Sequence, residues 1–356
     1  VPSLARTTQG PLGCGSYTAR LVNDGQVILD SRRVTSVLWN RRADEKSTST
    51  LTLPVQGTDL TACCESSQRI EPLRTEIIIS RDAEPVWQGW LMGDVGFTRD
   101  NIVVNGQDIL GWTERRVLNS NHVDTNVDLT NIALSYLGDV NAASDLPFVI
   151  ISTLSGVLAT RSVLASEYKY AWGPLKELLD TGLDATVVAG VLYLGPETVT
   201  CGTLQLRDTD IDGDPELKLD GAQRATRVIV VGGNGIVATY PPAPPDVCYH
   251  AADYVQQDDK ILDQASADNA AQLLYARLSS SFPYYLSIPQ GSTLKPSAPV
   301  HINALVPGNV FQVYVGSLCL PVGMAMRLTA LDVEVGPGGS EQVRPTFEPL
   351  GDLEGD

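Results

Sequence analysis

The chain has 356 residues, 43% of them hydrophobic, with 31 Gly and 22 Pro. That is enough for two or three cores and rich in the turn formers that short strands need. A net charge of −17 argues against a nucleic-acid groove, because such a surface repels phosphate. The charge is uneven: residues 1–120 hold 13 Lys+Arg against 14 Asp+Glu, and residues 121–356 hold 12 against 28. The first third is near-neutral and carries Arg32, Arg33, Arg41, Arg42, Arg115 and Arg116. Such asymmetry suits either two different neighbours or, more simply, solvated acidic faces.

In chain order, the β-prone run Ser47–Leu53 comes first, then Thr75–Ile79, the turn Arg81–Pro85, and Val86–Leu91. Ile102–Val104 follows the polar turn at Arg99–Asn101. Short strands at regular spacing predict a small barrel or sandwich. Asp128 is a favoured helix N-cap, with Leu129, Ile132, Ala133, Tyr136 and Leu137 at helical spacing and Gly138 expected to end the helix. The apolar stretch Leu146–Thr160 holds Pro147 and Gly156 and is too short to span a bilayer as a helix, so it reads as one or two strands with a turn. Pro174 suits the first turn of a second helix, with Leu175, Leu178 and Leu179 on one face, Gly182 closing it and Leu183 packing past the cap.

Ala185–Val188 and Val191–Leu194, joined through Ala189-Gly190, predict a hairpin. So do Arg227–Val231 and Ile236–Tyr240 around Gly232-Gly233-Asn234-Gly235. Pro241–Pro245 is a stiff connector. A third helix, over about Ala265–Leu278, places Ala270, Leu273, Leu274 and Leu278 on one face, and Val300–Phe347 returns to strands. No repeat of fixed period is visible.

Chemistry is sparse. Asp208–Asp214 matches the opening of a calcium loop, but the twelfth position, which should be a bidentate Glu, is Leu219; a solvated acidic turn is the simpler reading. Gly232–Gly235 lacks the Lys-Ser/Thr of a phosphate loop and precedes a strand-like run. His122, His250 and His301 are far apart, and neither a GxSxG elbow nor an HExxH pair occurs. Trp87, Trp90 and Trp112 suit either a sugar platform or, more simply, barrel packing. Cys14, Cys63, Cys64, Cys201, Cys248 and Cys319 form neither a disulfide framework nor a zinc pattern, so free thiols from a reducing cytoplasm are expected. No secretory signal is read at the N-terminus, and a soluble protein is expected. No catalytic, cofactor-binding or metal-binding residue is assigned.

The order of motifs carries more than any one of them. Trp39 is followed by Ala62-Cys63-Cys64, Ile70-Glu71-Pro72, Arg81-Asp82, Val86-Trp87-Gln88-Gly89 and the run Gly106–Arg116. This series resembles the opening barrel of minor tail proteins from phages of Gram-positive hosts, especially actinobacteria, which are similar to the phage baseplate hub. Trp172–Asp184 resembles that family's helix leading into a hairpin, and Leu305–Val310 with Met326-Arg327-Leu328 its closing barrel.

The resemblance implies a β-rich α+β fold: two tail-tube-like β-barrels with an inserted smaller α/β part. The implied divisions are an N-terminal barrel at 1–118, an α/β domain at 119–220 plus 250–292, a second barrel at 221–249 plus 293–350, and an acidic tail at 351–356. It further implies a non-enzymatic homotrimer without cofactor in the virion tail tip, assembled in the host bacterial cytoplasm. Three copies would ring the tube end, joining a sixfold tube to a threefold tip and letting tape measure and DNA pass. Expected neighbours are the distal tail protein or tail tube, the tape measure protein, and tip fibre or receptor-binding proteins. Genome DNA would pass without specific binding, and no membrane insertion is evident. The chain stops at Asp356 soon after its last strand-like segment, so wall digestion and receptor binding are expected of other proteins. The competing readings are a hexameric distal tail protein, a phage depolymerase or cell-wall hydrolase, which would need a catalytic constellation, and a secreted carbohydrate-binding protein.

Overall fold

A computed structural model describes residues 10–31, 34–54, 69–142, 149–196, 204–219, 225–241, 252–258, 261, 263–278, 284–318 and 321–350. The chain divides into two compact units. The first is Val1–Asp214, Ile288–Tyr314 and Met326–Glu348; the second is Pro215–Ser287, Val315–Ala325 and Pro349–Asp356.

The strands β1 (Tyr17–Asn23), β2 (Gln26–Ser31), β3 (Ser36–Arg42), β4 (Thr48–Pro54), β5 (Glu76–Arg81), β6 (Glu84–Phe97) and β7 (Asn101–Gln107) lie where β-branched residues alternate with polar ones. Leu51 and Leu53 of β4 point inward with Ser49, and Ile77 and Ile79 of β5 with Arg81. The β5–β6 turn is closed by Asp82 and Ala83 at φ 50° and 68°, the left-handed pair that a two-residue hairpin requires. Gly106 is glycine because Trp87 crosses it: a Cβ there would meet the ring at 2.7 Å.

β8 (His122–Asp128) leads into α1 (Leu129–Ala142), followed by β9 (Val149–Ser152), β10 (Leu158–Val163) and α2 (Trp172–Leu179). The hairpin of β11 (Leu183–Val188) and β12 (Val191–Pro196) comes next, turned by Ala189 and Gly190 at φ 49° and 82°. α1, α2 and this hairpin share one core with Trp90, Trp112 and Leu118, and Leu175, Leu178 and Leu183 are fully buried in it. Gly138 does not end α1, contrary to the sequence expectation. The helix runs on four residues to Ala142 because Val140 is buried on the same face as Tyr136 and Leu137. Packing of an apolar face outweighs the modest helical penalty of one glycine. The stretch Leu146–Thr160 does give two strands beyond its first residues, but they pair apart: β9 runs parallel to β12, and β10 runs antiparallel to β8.

Beyond these lie β13 (Leu204–Arg207), β14 (Ile211–Asp212), β15 (Glu216–Leu219), β16 (Arg227–Gly232), β17 (Val237–Tyr240), β18 (Asp253–Asp258) and α3 (Gln264–Leu278). The chain closes with β19 (Tyr284–Ser287), β20 (Thr293–Leu294), β21 (Val310–Val315), β22 (Val322–Val335) and β23 (Glu341–Pro349). The large sheet runs β13-β21-β22-β3-β4-β7-β6-β5-β1-β2, with β23 paired to β22. Residues from the two ends of the chain thus share one sheet, through β22 against β3. Among the described residues this path is open at β13 and β2 and does not close on itself. The fold is β-rich with few helices, as the sequence led one to expect.

In the second unit, β16 pairs antiparallel with β17 and parallel with β18. α3 covers this small sheet with most of the expected face. Ala267 and Ala271 are buried, with Ala270, Leu274, Tyr275 and Leu278 packed against them, while Leu273 is 73% exposed. Ala270, Leu274 and Leu278 thus pack as the sequence predicts, while Leu273 does not, because the buried stripe runs through Ala267 and Ala271. Pro242–Pro245, Arg32, Arg33, Cys63, Cys64, Cys201, Cys248, Cys319, His250, Pro147 and residues 351–356 lie outside the described residues.

Candidate functional surface

The tryptophans settle one alternative. Trp87, Trp90 and Trp112 are buried, and Trp90 meets Trp112 edge-on at 6.2 Å, so they are packing elements and no sugar platform. Cys14 is an exposed free thiol. Asp208 and Asp210 accept the chain's own amides, from Thr209 at 2.8 Å and Arg207 at 2.9 Å. Among the described residues no group of three His, Cys, Asp or Glu gathers as a metal site. Gly233–Gly235 forms the tight turn between β16 and β17.

Among the described residues, His122 shows an arrangement with a catalytic outline. Its Nδ1 lies 2.9 Å from Ser135 Oγ and its Nε2 3.3 Å from Asp139 Oδ2. In a nucleophilic triad the carboxylate orients Nδ1 and the hydroxyl faces Nε2, the reverse of this. Asp139 also accepts the amides of Asn119 at 2.7 Å and Ser120 at 2.9 Å, and these bonds with that of His122 outweigh burial and hold its pKa below the usual range. The ring packs edge-on to Tyr136 at 4.9 Å. Ser135 and Asp139 are one helical turn apart, so the imidazole bolts the start of β8 to α1.

Two further polar clusters organise the large sheet. Arg81 and Glu341 have fully buried side chains and pair twice, Nε to Oε1 at 2.8 Å and Nη2 to Oε2 at 2.9 Å. Tyr17 donates to Oε1 at 2.5 Å and the Gly13 amide to Oε2 at 2.7 Å, while Arg81 donates to the carbonyls of Gly10 and Pro11. Burial alone would raise the Glu341 pKa, but the bonds from Arg81 and Tyr17 hold it below the usual range. Burial and the facing carboxylate raise that of Tyr17. Arg41 is also fully buried. It donates to the carbonyls of Ile302, Leu305 and Val86 and lies 5.0 Å over the Trp39 ring, and burial pulls its pKa down to about 10.

A cleft of about 680 Å³ is lined by Arg42, Asp44, Arg327, Asp332, Arg344 and Glu348 among others. Its cations are matched: Arg42 forks onto Asp332 at 2.6 and 3.1 Å, Arg327 pairs with Asp184, and Arg344 meets Glu334 at 2.8 Å. Burial pushes Asp44 up to about 7, against the Ala185 amide that it accepts at 2.8 Å. The lining is a set of ion pairs that fixes β11 to β3 and β22.

One outward-facing stretch, Val149–Leu158, is apolar. Asp128 accepts the amides of Thr130 at 2.9 Å, Ser155 at 3.2 Å and Gly156 at 2.8 Å, and the Ser155 hydroxyl at 3.1 Å. These bonds outweigh burial and hold its pKa low. Leu129 N donates to Val157 O, and Thr153 N to Leu194 O. The loop is therefore pinned, yet it presents Leu154 and Val157 to solvent, next to Val149, Ile151 and Leu158. The sequence identified Asp128 as a cap; its bonds to residues 155 and 156 leave no trace in spacing. No helix is long and apolar enough to cross a membrane among the described residues.

No family model matches the chain, and no curated protein matches it. Solved structures do. The 43 kDa tail protein of prophage MuSo2 from Shewanella oneidensis matches 94% of this chain and 98% of its own at TM-score 0.62 and 14% identity. A tail protein from Neisseria meningitidis MC58 matches 94% and 97% at TM-score 0.62 and 12% identity. The E. coli c3393 protein, a type VI secretion component described as structurally similar to the T4 phage tail proteins gp27 and gp5, matches 90% and 76% at TM-score 0.50 and 12% identity. Over 94% of its length, the fold of this chain is one found in phage tail proteins.

Proposed function

We propose that this chain is a structural baseplate hub, or minor tail, subunit at the tip of a long non-contractile phage tail. The observation that carries the reading is the fold match over nearly the whole of both chains to a prophage tail protein. The likeness to a protein itself compared with gp27 and gp5 favours the hub over other tail positions. In this reading three copies form a ring, each giving two tube-like barrels, at 1–118 and at 221–249 plus 293–350. The smaller α/β part is 119–220, which lies between them in the chain, plus 250–292, which interrupts the second, and 351–356 is an acidic tail. Six barrels then meet a sixfold tube or distal tail ring above, and the tip below is threefold. The large sheet does not close on itself among the described residues, which supports this, since sheet edges call for a neighbour or shielding.

The role is mechanical: the ring holds the tape measure protein and passes DNA, which a net charge of −17 keeps from sticking. Tip fibre or receptor-binding proteins are the neighbours below. The protein then resides in the virion tail tip, after assembly in the host bacterial cytoplasm. A symmetric reconstruction of the tail tip tests this. Three copies per ring are expected; six would make it a distal tail protein, and a single peripheral copy would remove the ring role.

A further inference from the structure

We infer that the loop between β3 and β4, residues 43–47, is a proton-sensitive latch on the cleft: the uncharged carboxyls of Asp44 and Asp108 hold its two ends closed, and their ionisation lets it open. This is a device of the first unit itself and does not rest on the ring reading.

The loop joins the large sheet to the α/β part. At its start the Ala43 amide donates to the Thr329 carbonyl at 2.9 Å, and Ala43 bridges Thr186 of β11. Asp44 lies at φ 58° and meets Ala185 twice: its amide donates to the Ala185 carbonyl and its Oδ1 accepts the Ala185 amide, both at 2.8 Å. At its end the Ser47 amide donates to Asp108 Oδ2 at 2.8 Å, and the Asp108 amide donates to the Ser47 carbonyl at 2.9 Å. Each end is thus held by one carboxyl and one carbonyl. Between them Glu45 is exposed, and Lys46 pairs with Glu114. Ala43 is the loop's one apolar side chain, so hydrogen bonds and not packing decide whether it stays closed. Ala43, Asp44 and Glu45 line the cleft beside Arg42 and Arg327, so opening the loop moves a wall of it.

Both carboxyls sit where a charge is disfavoured. Asp108 is 1% exposed and accepts the amides of Ser47 and Leu110, and among the described residues no cation pairs with it. Asp44 faces the carboxylate of Asp184 on β11. The cations near it are Arg327 of β22 and Lys176 of α2, and each has another carboxylate: Arg327 pairs with Asp184, and Lys176 meets Asp180 at 3.2 Å. Lys176 Nζ reaches the Asp44 carbonyl, not its carboxyl, at 3.5 Å. Burial raises both groups to about 7. Opening returns them to water and to ordinary carboxylate values. The advantage of the closed loop is therefore complete below about pH 4 and is lost as pH rises through about 7.

Native-state amide exchange of the full chain, corrected for the intrinsic rate at each pH, tests this. Between about pH 5 and 7 the protection of the Asp44, Ser47 and Ala185 amides should fall at least about a hundredfold, since each released carboxyl contributes about tenfold per pH unit, and it should level off above that. At about pH 7 these amides should exchange at least about tenfold faster than that of Leu91, which donates to the Thr75 carbonyl inside the first unit. Asp44→Asn and Asp108→Asn should each make the fall shallower, and the double variant should abolish it. The carboxyl carbon shifts of the two residues in the wild type need no substitution, and they should titrate near neutrality. Protection that does not change with pH, or carboxyls that titrate in the usual range, would overturn the latch. So would loop amides as protected as that of Leu91, because the loop would then open only with the whole fold.

Discussion

The large sheet and the α/β part of the first unit both hold their chain with a carboxylate, by opposite means. Glu341 is answered by a buried guanidinium 260 residues away, and its partners reach back to Gly10 and Pro11. Asp128 is answered by amides and a hydroxyl no more than 28 residues away, at the start of a helix. The first arrangement closes the ends of the chain onto one sheet and depends on both charges being present. The second is local and neutral in its donors, so losing it exposes no charge.

The largest expected effect follows from that dependence. Glu341→Ala removes the buried anion from Arg81 and leaves it only Asp82, 3.0 Å from Nη1, and should cost about 3–5 kcal/mol in urea unfolding. The double change Arg81→Met with Glu341→Leu should recover most of it, since apolar replacement of a buried pair is often near neutral. A single variant that unfolds at the wild-type midpoint would mean that the pair contributes little.

pH separates buried carboxylates with and without a cation. The folded pKa of Glu341 is depressed, so its contribution is present above the unfolded pKa and is lost as pH falls through the folded value. Asp108 is fully buried and accepts the Ser47 amide at 2.8 Å and the Leu110 amide at 3.0 Å, but no cation faces it, and burial pushes it up to about 7. Its sign is reversed: its contribution is complete below the unfolded pKa and is lost as pH rises through about 7. Wild type should therefore lose stability on the acid side through Glu341, and between about pH 4 and 7 through Asp108, on the order of a few kcal/mol for the latter. Asp108→Asn should flatten the slope between pH 5 and 8, read as urea midpoints; an unchanged slope would remove Asp108 from the account. Asp44, also raised to about 7, contributes in the same direction and is the second variant to compare.

The local anchor should matter less. Asp128→Ala removes a helix cap and the loop's bonds, for a loss of about 0.5–2 kcal/mol. Hydrogen exchange should rise at residues 155 and 156 before the rest of the unit, and uniform exchange would show that the loop is held by something else.

What was legible in the sequence divides along the same line. Local pattern was enough for the hairpins at Ala189-Gly190 and at Gly233–Gly235, and for the Pro174 helix, because their turn chemistry lies within a few residues. Arg81 with Glu341, and Arg41 with the carbonyls of residues 302 and 305, were invisible, since nothing at either end announces a partner more than 250 residues off. The exposed face at 149–158 was read as strand, correctly, but burial is decided by neighbours and not by the strand itself. Leu273 and Gly138 failed for one reason: the sequence names apolar residues and helix stops, while tertiary packing decides which face is covered and where the helix ends.

Gly138 gives the smallest prediction, and the one of opposite sign. Glycine at a helix end is useful when the backbone must turn left-handed, but Gly138 is absent from the positive-φ residues and lies four residues inside α1. It is exposed, and a Cβ built on it meets nothing within 4 Å. Gly138→Ala therefore adds no clash, removes conformational freedom from the unfolded chain, and raises helix propensity. It should stabilise the protein by about 0.5–1 kcal/mol, seen as a higher urea midpoint at unchanged slope. The same substitution at Gly182, where φ is +114°, should destabilise, although a Cβ there also meets nothing within 4 Å. Space is equal at the two glycines, so the opposite signs isolate backbone conformation as the cause. A loss of stability at Gly138 would mean that α1 is broken there, as the sequence alone suggested.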